Sequence, residues 1–309
     1  MAHAVEVEGL TKVYEAAGKA SKPLRAVDNL DFAVPGGEVS GFLGPNGARK
    51  TTTIRMLTGL ARPTAGSAQV LGFDVGGAIT QIKKRIGVVP EASNLYDELS
   101  ARDNLVFAMQ LYGVARAERG PRAEQLLARF GLTEKRDAPF ASLSRGMKRA
   151  LTIAAALAHR PQLLFLDEPT TGLDVMSARN LRRMIASLRD EGVTVFLTTH
   201  YLEEAERLCD RVAIIVQGRL VALDTVNDLK ASLGRKPGIE VILADEKGGT
   251  ETRRIESDDV AAAVHSALAD ATGRRVLALN TVRPSLEDVF VQLTGLSAQA
   301  MLQEKGGKG

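Results

Sequence analysis

The sequence has few of the residue types that mark a secreted or membrane-embedded protein. A single cysteine, Cys209, stands among 309 residues, so no disulfide framework can form within the chain, and this suits a reducing compartment. No segment approaches the ~20 consecutive apolar residues that a membrane-spanning helix needs. The first residues also lack the basic and apolar regions of a signal peptide. We therefore expect a cytosolic chain that reaches any membrane only through a partner.

Aromatic residues and excess charge are also scarce. Tryptophan is absent and aromatic residues make up 4% of the chain, so the core must be mainly aliphatic. The formal net charge is only +3. The basic clusters at residues 83–85 and 182–183 are too short to form an electrostatic footprint on nucleic acid. The composition is typical of a globular protein and argues against a nucleic-acid partner.

The hydrophobic pattern predicts an α/β fold. The apolar segment 38–43 predicts a strand, and further strands are predicted at 163–166 and 194–197, with a helical segment at 177–190 between them. This alternation predicts a parallel sheet, because parallel neighbours need a crossover connection. The interval 102–157 shows helical periodicity throughout, which predicts a helical insertion in the sheet.

A change in the sequence pattern near residue 233 predicts a second, smaller domain. Residues 234–238 are rich in glycine and proline, which is typical of a linker. The segment beyond them alternates short strands with helices, as a small α+β domain does. The predicted parts are a first domain at 1–233 with a helical subdomain at about 92–158, a second domain at 239–295, and a flexible tail at 296–309.

A glycine-rich loop follows the strand at 38–43 and precedes a helical segment. It matches the phosphate-binding pattern G-x-x-x-x-G-K-[ST] at every defined position except Arg49. Such a loop presents backbone N–H groups to phosphate oxygens at the positive end of a helix. Lys50 would reach the β- and γ-phosphates and Thr51 would ligate Mg²⁺. The predicted nucleotide-binding residues are Gly44, Pro45, Asn46, Gly47, Ala48, Arg49, Lys50, Thr51 and Thr52.

Arg49 stands where this pattern has glycine. Glycine allows a left-handed backbone and a close approach to phosphate, and a side chain at positive φ costs about 1–2 kcal/mol. A guanidinium near phosphates is nevertheless electrostatically favourable. The residues alone leave both outcomes open, a working phosphate loop or a weakened one.

Two carboxylates end the strand at 163–166. Asp167 is predicted to hold Mg²⁺ through water, and Glu168 to polarise the attacking water as general base. His200 follows the next strand, and neighbouring parallel strands bring their carboxyl ends to one edge of the sheet. The predicted catalytic residues of an ATPase are therefore Lys50, Glu168 and His200.

These residues, together with the segment 143–149, resemble the ABC ATPase family. Ser144 and Gly146 match the Ser and the second Gly of its signature motif, while Arg145 replaces the usual first Gly and Met147 the common Gln. The resemblance implies that the signature opens a helix whose N-terminus caps the γ-phosphate of ATP held by the other subunit. It therefore implies a head-to-tail homodimer with two composite ATP sites.

Three further residues take their roles from the resemblance. Tyr14 occupies the position whose aromatic ring stacks on adenine, and Asp174 lies in the loop that links the two sites across the dimer. Glu91 stands where the family usually has Gln, a residue that touches Mg²⁺ or the attacking water and relays the state of the site to the membrane partner. A carboxylate can ligate Mg²⁺ but cannot donate an amide hydrogen bond.

The resemblance covers residues 5–230 as a P-loop NTPase cassette with a mixed sheet core and a helical insertion. Residues 239–293 are similar to the C-terminal accessory domain of an exporter branch that includes subunits resembling the daunorubicin-resistance ATPase. The resemblance implies an ABC exporter subunit that binds ATP and Mg²⁺ and hydrolyses ATP. Such a subunit lies peripherally on the cytoplasmic face of the membrane and powers a separate permease for a drug, lipid or polysaccharide-like substrate.

Two alternatives stay open from the residues. One is an ATP-binding module whose hydrolysis is impaired by Arg49. The other is a non-transport ABC ATPase that acts on ribosomes or DNA, although the chain carries one cassette and lacks room for a long coiled coil ahead of its signature.

Overall fold

The computed structural model describes residues 3–15, 23–234, 237–244, 249–257, 259–270, 274–297 and 301. The chain forms two compact units that divide between Asp224 and Thr225. Most of the predicted tail and residues 235–236 of the predicted linker lie outside the described residues.

The first unit contains two sheets. The four strands of the first are β1 (His3–Tyr14), β2 (Leu24–Pro35), β4 (Ala65–Val70) and β5 (Phe73–Asp74), and those of the second are β3 (Val39–Leu43), β6 (Ile86–Val89), β7 (Leu163–Asp167), β8 (Thr194–Thr199), β9 (Arg211–Val216) and β10 (Arg219–Thr225). The first sheet is antiparallel, in the order β2-β1-β4-β5. The second has the order β10-β9-β3-β8-β7-β6, and its strands from β9 to β6 pair in parallel.

The parallel sheet confirms the predicted α/β core, and the antiparallel sheet gives the cassette its mixed character. Strands β3, β7 and β8 are buried along their whole length. Parallel strands covered on both faces are continuous apolar runs in sequence, which is why these strands could be predicted without alternation.

Seven α-helices of the first unit are described. They are α1 (Lys50–Leu57), α2 (Ile79–Lys83), α3 (Ala101–Leu111), α4 (Arg116–Arg129), α5 (Arg145–Ala156), α6 (Val175–Asp190) and α7 (Leu202–Leu208). Helices α3, α4 and α5 follow β6 and precede β7 in the chain. They pack on one another and form the helical insertion. The Ser100 hydroxyl caps α3 by accepting a hydrogen bond from the Asp103 N–H at 3.0 Å, which satisfies one of the unpaired donors of the first turn.

The two sheets share one hydrophobic core. Phe196 on β8 is fully buried, and its ring centroid lies 4.7 Å from that of Phe42 and 5.6 Å from that of Phe165. Phe32 of the antiparallel sheet completes the cluster at 4.8 Å from Phe42. Four aromatic side chains thus pack together where the two sheets meet.

Within the described residues, the second unit has a three-stranded antiparallel sheet in the order β12-β11-β13 and three helices. Its elements are α8 (Val226–Ala231), β11 (Gly238–Ala244), β12 (Thr250–Glu256), α9 (Val260–Asp270), β13 (Val276–Val282) and α10 (Leu286–Thr294). Ile239, Val241 and Leu243 alternate along β11 and belong to a core that includes Ala263 and Ala267 of α9. Helix α8 packs against α10, so this unit starts before the boundary predicted at residue 233.

No helix in the described ranges is both long and apolar enough to span a membrane.

We expect Phe196→Ala to lower the free energy of unfolding of the chain by about 3–5 kcal/mol, because it leaves a cavity in the aromatic cluster. Because the chain lacks tryptophan, unfolding in urea would be followed by far-ultraviolet circular dichroism. The matched control is Leu60→Ala, since the Leu60 side chain is 66% exposed. Equal urea midpoints for the two variants would contradict this assignment of the core.

Candidate active site

Three parallel strands end side by side at one edge of the second sheet. Strand β8 lies between β3 and β7, with Leu43 aligned to Thr199 and Asp167 aligned to Thr198. The residues that follow these strands therefore meet around one cavity of about 660 Å³. Its lining residues are Asn46, Gly47, Arg49, Lys50, Thr51, Thr52, Glu91, Glu168, Thr171, His200 and Tyr201.

The glycine-rich loop between β3 and α1 is held tightly at its start. A Cβ atom on Gly44 would lie 2.1 Å from the carbonyl oxygen of Ile215 on β9, so only glycine fits there. The Gly44 N–H donates to the Thr199 carbonyl at 3.3 Å, and the Ala48 N–H donates to the Pro45 carbonyl at 3.0 Å. The loop is thus shaped by its contacts with β8 and β9 as well as by its own turn.

Arg49 adopts the left-handed backbone that the phosphate-loop pattern reserves for glycine. Its φ is 72° and its ψ is 25°, and it is the N-cap residue of α1 without a side-chain capping bond. The strain of about 1–2 kcal/mol for a non-glycine residue in this region therefore applies. The Arg49 side chain is exposed at the cavity and leaves Lys50 in place, because the Lys50 Nζ donates to the Gly44 carbonyl at 2.6 Å.

Glu168 is a buried carboxylate with a partner on each oxygen. The Lys50 Nζ lies 3.1 Å from its Oε1, and the His200 Nδ1 lies 2.8 Å from its Oε2. The Thr171 hydroxyl also donates to Oε2, at 3.2 Å. Two of the predicted catalytic residues, Lys50 and His200, are thus both in direct contact with the third, Glu168.

The pKa of Glu168 lies below its ordinary value. Burial alone would raise the pKa of this carboxyl, but the hydrogen bond from His200 and the positive charge of Lys50 outweigh burial. The carboxyl is therefore ionised at neutral pH and can only accept hydrogen bonds, so His200 donates through its Nδ1–H. The arrangement suits a base that takes a proton from water.

The backbone of Glu168 is also unusual. Its φ is 47°, in the left-handed region, and its N–H donates to both the carbonyl oxygen and the hydroxyl oxygen of Thr198 at 3.1 Å each. A non-glycine residue in this conformation persists only where surrounding contacts hold it, as at functional sites.

Thr51 and Asp167 form the part of the site that fits a hard cation. The Thr51 hydroxyl donates to Asp167 Oδ1 at 3.1 Å, and the Thr198 hydroxyl donates to the same oxygen at 2.5 Å. Hydroxyl and carboxylate oxygens match the preference of Mg²⁺. The described residues contain no cluster of three or more His, Cys, Asp or Glu side chains that could hold a metal. Phosphate and water oxygens would therefore have to complete the shell, and Glu91 lines the same cavity.

Eight predicted site residues are not among the lining residues of this cavity. Four of them, Gly44, Pro45, Ala48 and Asp167, are close neighbours of lining residues in the chain, and the other four lie elsewhere. Tyr14 lies at the end of β1 with its side chain 38% exposed, and the Lys12 Nζ is 5.0 Å from its ring centroid. Ser144 caps α5 by accepting from the Met147 N–H at 3.3 Å. Asp174 caps α6 by accepting from the Ser177 N–H at 2.9 Å, and Gly146 lies in the first turn of α5. Their roles toward a nucleotide stay predictions.

Arg149 on α5 is a site residue to which the sequence pattern assigned no role. Its guanidinium is buried and donates to the carbonyl oxygens of Asp167 at 2.7 Å, Pro169 at 2.9 Å and Pro90 at 2.5 Å. It thereby joins the signature helix to the end of β7 and to the segment that carries Glu91. Every residue has a backbone carbonyl, so these acceptors cannot be recognised in the sequence. The one available signal was an arginine on a helix that is largely buried.

Glu204 is a second buried charged group that the sequence pattern did not single out. It lies on α7, fully buried, and its Oε1 accepts from the Thr170 hydroxyl at 2.7 Å. Its Oε2 has no hydrogen-bond partner within the part of the chain that the structure describes, and burial raises the pKa of this carboxyl. Glu204 therefore ties the helix after His200 to the turn that follows Glu168.

Comparisons with known proteins find similar ATP-binding subunits. The family profile described as ABC transporter matches residues 27–171. The daunorubicin/doxorubicin resistance ATP-binding protein of Streptomyces peucetius is 39% identical, over 99% of this chain and 96% of its own length. A fluoroquinolone export ATP-binding protein of Mycobacterium tuberculosis is 40% identical, over 94% of this chain and 93% of its own.

A solved structure is similar in fold. It is a dimeric ATP-binding cassette in a post-hydrolysis state, bound to ADP and phosphate. It superposes with a TM-score of 0.66 at 25% identity, covering 72% of this chain and 98% of its own.

We expect Arg149→Lys to lower both ATP turnover and thermal stability. Lysine keeps the positive charge but lacks the planar fork of donors, so at least one of the three carbonyls loses its partner. An unsatisfied buried acceptor costs about 1–3 kcal/mol, and a loss of this size in the transition state lowers turnover about tenfold. The control is Arg183→Lys, at an exposed position on α6. If Arg149→Lys matched the wild type in turnover and melting temperature, Arg149 would have no positioning role.

Proposed function

The chain belongs to the ABC transporter ATP-binding family, and from this premise we propose that it is the ATP-hydrolysing subunit of an exporter. The observation that carries the catalytic part is the ionised Glu168 carboxylate, which lies at the cavity between Lys50 and His200. A general base needs this combination of ionisation, fixed orientation and access to the reacting water.

Lys50 and the loop that precedes it would bind the phosphates of ATP. The Lys50 ammonium is buried, and its charge is shared between the Glu168 carboxylate and the Gly44 carbonyl. A γ-phosphate competes for this ammonium. When it does so, the carboxylate loses one of its cationic or hydrogen-bonding partners and becomes a better proton acceptor.

Hydrolysis then follows from the position of Glu168. A water oxygen attacks the γ-phosphorus while Glu168 accepts its proton, and the bond from the γ-phosphorus to the bridging oxygen breaks to release ADP and phosphate. The Nδ1–H of His200 holds Oε2, which keeps Oε1 directed along the Lys50 side of the cavity. His200 is therefore proposed to orient the base.

Mg²⁺ is the proposed second cofactor, held by Thr51 and Asp167 with Glu91 at the same cavity. When bound, it would neutralise charge on the β- and γ-phosphate oxygens. The Thr51 hydroxyl and the Asp167 carboxylate are already hydrogen-bonded to each other, so little rearrangement is required to bring both oxygens to one cation.

A homodimer and a separate permease complete the proposal. The dimeric cassette of similar fold supports the homodimer. Ser144, Gly146 and Asp174 lie outside the cavity of their own chain, as residues that serve a partner's nucleotide would.

The relatives named for drug resistance and fluoroquinolone export support an exporter of drug-like molecules, with lipid and polysaccharide-like substrates as the other proposed classes. The permease would hold this subunit on the cytoplasmic face of the membrane, docking between the parallel sheet and the helical insertion near residues 91–103.

We expect Glu168→Gln to lower ATP turnover by at least about a hundredfold while nucleotide binding persists. Glutamine keeps the size of the side chain but cannot accept the proton, and general-base contributions are typically 10²–10⁴-fold. ATP should then hold the variant as a dimer, detected by light scattering. Glu203→Gln, at an exposed position on α7, should behave as the wild type. Unchanged turnover in Glu168→Gln would show that another group is the base.

Arg49→Gly separates this function from an ATP-binding module with impaired hydrolysis. We expect nucleotide affinity and turnover to change by less than about threefold, because Arg49 is exposed and Lys50 already holds its contacts. Arg49→Asn is the matched variant, since asparagine tolerates a left-handed backbone without adding charge. Both constants would be measured by nucleotide titration and phosphate release. A rise in affinity of about tenfold or more in both variants would favour the impaired module.

A further inference from the structure

Arg145 is the first residue of α5 and stands where the family has the first glycine of its signature. Its Nη1 donates a hydrogen bond to the carbonyl oxygen of Gly172, at 2.9 Å. Arg145 is not among the residues that line the cavity of its own chain. The departure from glycine has therefore added a contact between the signature helix and the turn that precedes α6.

The turn accepts this guanidinium because Gly172 has no side chain. Its φ is 72°, and a Cβ atom there would lie 2.7 Å from the Arg145 Nη1. The starts of α5 and α6 are also in close contact, since a Cβ atom on Gly146 would lie 2.4 Å from the Ser177 hydroxyl oxygen. Ser177 in turn is bound by the Asp174 carboxylate, at 2.9 Å through its N–H and at 2.6 Å through its hydroxyl.

The same turn holds the catalytic base. Thr171 precedes Gly172, and its hydroxyl donates to Glu168 Oε2 at 3.2 Å. The Thr171 N–H also donates to the Glu168 carbonyl, at 3.3 Å. Arg145 is therefore linked to the carboxylate of Glu168 through Gly172 and Thr171.

We propose that Arg145 is a positioning residue for ATP hydrolysis, acting on Glu168 through the Gly172 carbonyl and Thr171. One part of this proposal, a link between the two subunits, rests on the proposed dimer. In that dimer the signature helix borders the ATP of the partner subunit, so Arg145 makes the base of one subunit respond to the nucleotide held by the other. A glycine at this position has no side chain with which to make this link.

The test compares Arg145→Ala, Arg145→Lys and a control, Arg183→Ala, in the full-length chain. ATP turnover is measured over a range of ATP concentrations, affinity is measured with a fluorescent ATP analogue, and stability is measured as a melting temperature. We expect Arg145→Ala to lower kcat about three- to tenfold, with affinity within about twofold and the melting temperature unchanged. Arg145→Lys should recover part of the turnover, because its ammonium retains a donor for the Gly172 carbonyl.

The outcomes separate this inference from the proposed function. If the wild type hydrolyses ATP and Glu168→Gln does not, while Arg145→Ala turns over as fast as the wild type, the positioning role is overturned and the ATPase assignment stands. A parallel loss of affinity and melting temperature in Arg145→Ala would also overturn it, because that result indicates a structural role. A wild type without turnover would overturn both.

Discussion

The site depends on the compensation of one buried charge, the carboxylate of Glu168. A carboxylate removed from water is stable only where cations and donors replace its hydration, and here Lys50, His200 and Thr171 do so. These groups come from α1, from the end of β8 and from the turn after β7. They can meet only because β8 lies between β3 and β7 with the ends of the strands in register. The strand order of the parallel sheet is thus a requirement of the chemistry as well as a property of the fold.

Two arginines on the same helix extend this constraint away from the cavity. Arg149 and Arg145 both donate to backbone carbonyls, on Asp167 and Pro169 for the first and on Gly172 for the second. A guanidinium that donates to backbone carbonyls fixes the position of the backbone directly. The segment from β7 to α6 is therefore attached to α5 near both of its ends. Glu168 lies within this attached segment, directly after β7.

The features with a local signature could be predicted from the sequence. Buried strands such as β7 and β8 are continuous apolar runs, and the acids that follow β7 stand out against them. Pairing between distant segments has no such signature, so the antiparallel sheet formed by β1, β2, β4 and β5 was not predicted as a separate layer. The contacts of Arg149 were missed for the same reason, since their acceptors are backbone carbonyls. The φ of Arg49 could be stated only as a condition, because a left-handed conformation at a non-glycine residue depends on what surrounds it.

The surroundings of Arg49 explain how the loop accommodates this residue. The strain of about 1–2 kcal/mol is small beside a typical folding stability of about 5–15 kcal/mol. The loop is held by contacts that do not involve the Arg49 side chain, namely Gly44 against the Ile215 carbonyl and Lys50 against the Gly44 carbonyl. Glu91, the other departure at this cavity, has the opposite charge. Arginine for glycine adds one positive charge to the lining of the cavity, and glutamate for glutamine adds one negative charge. The two departures together therefore leave the formal charge of the cavity lining equal to that of the usual pair.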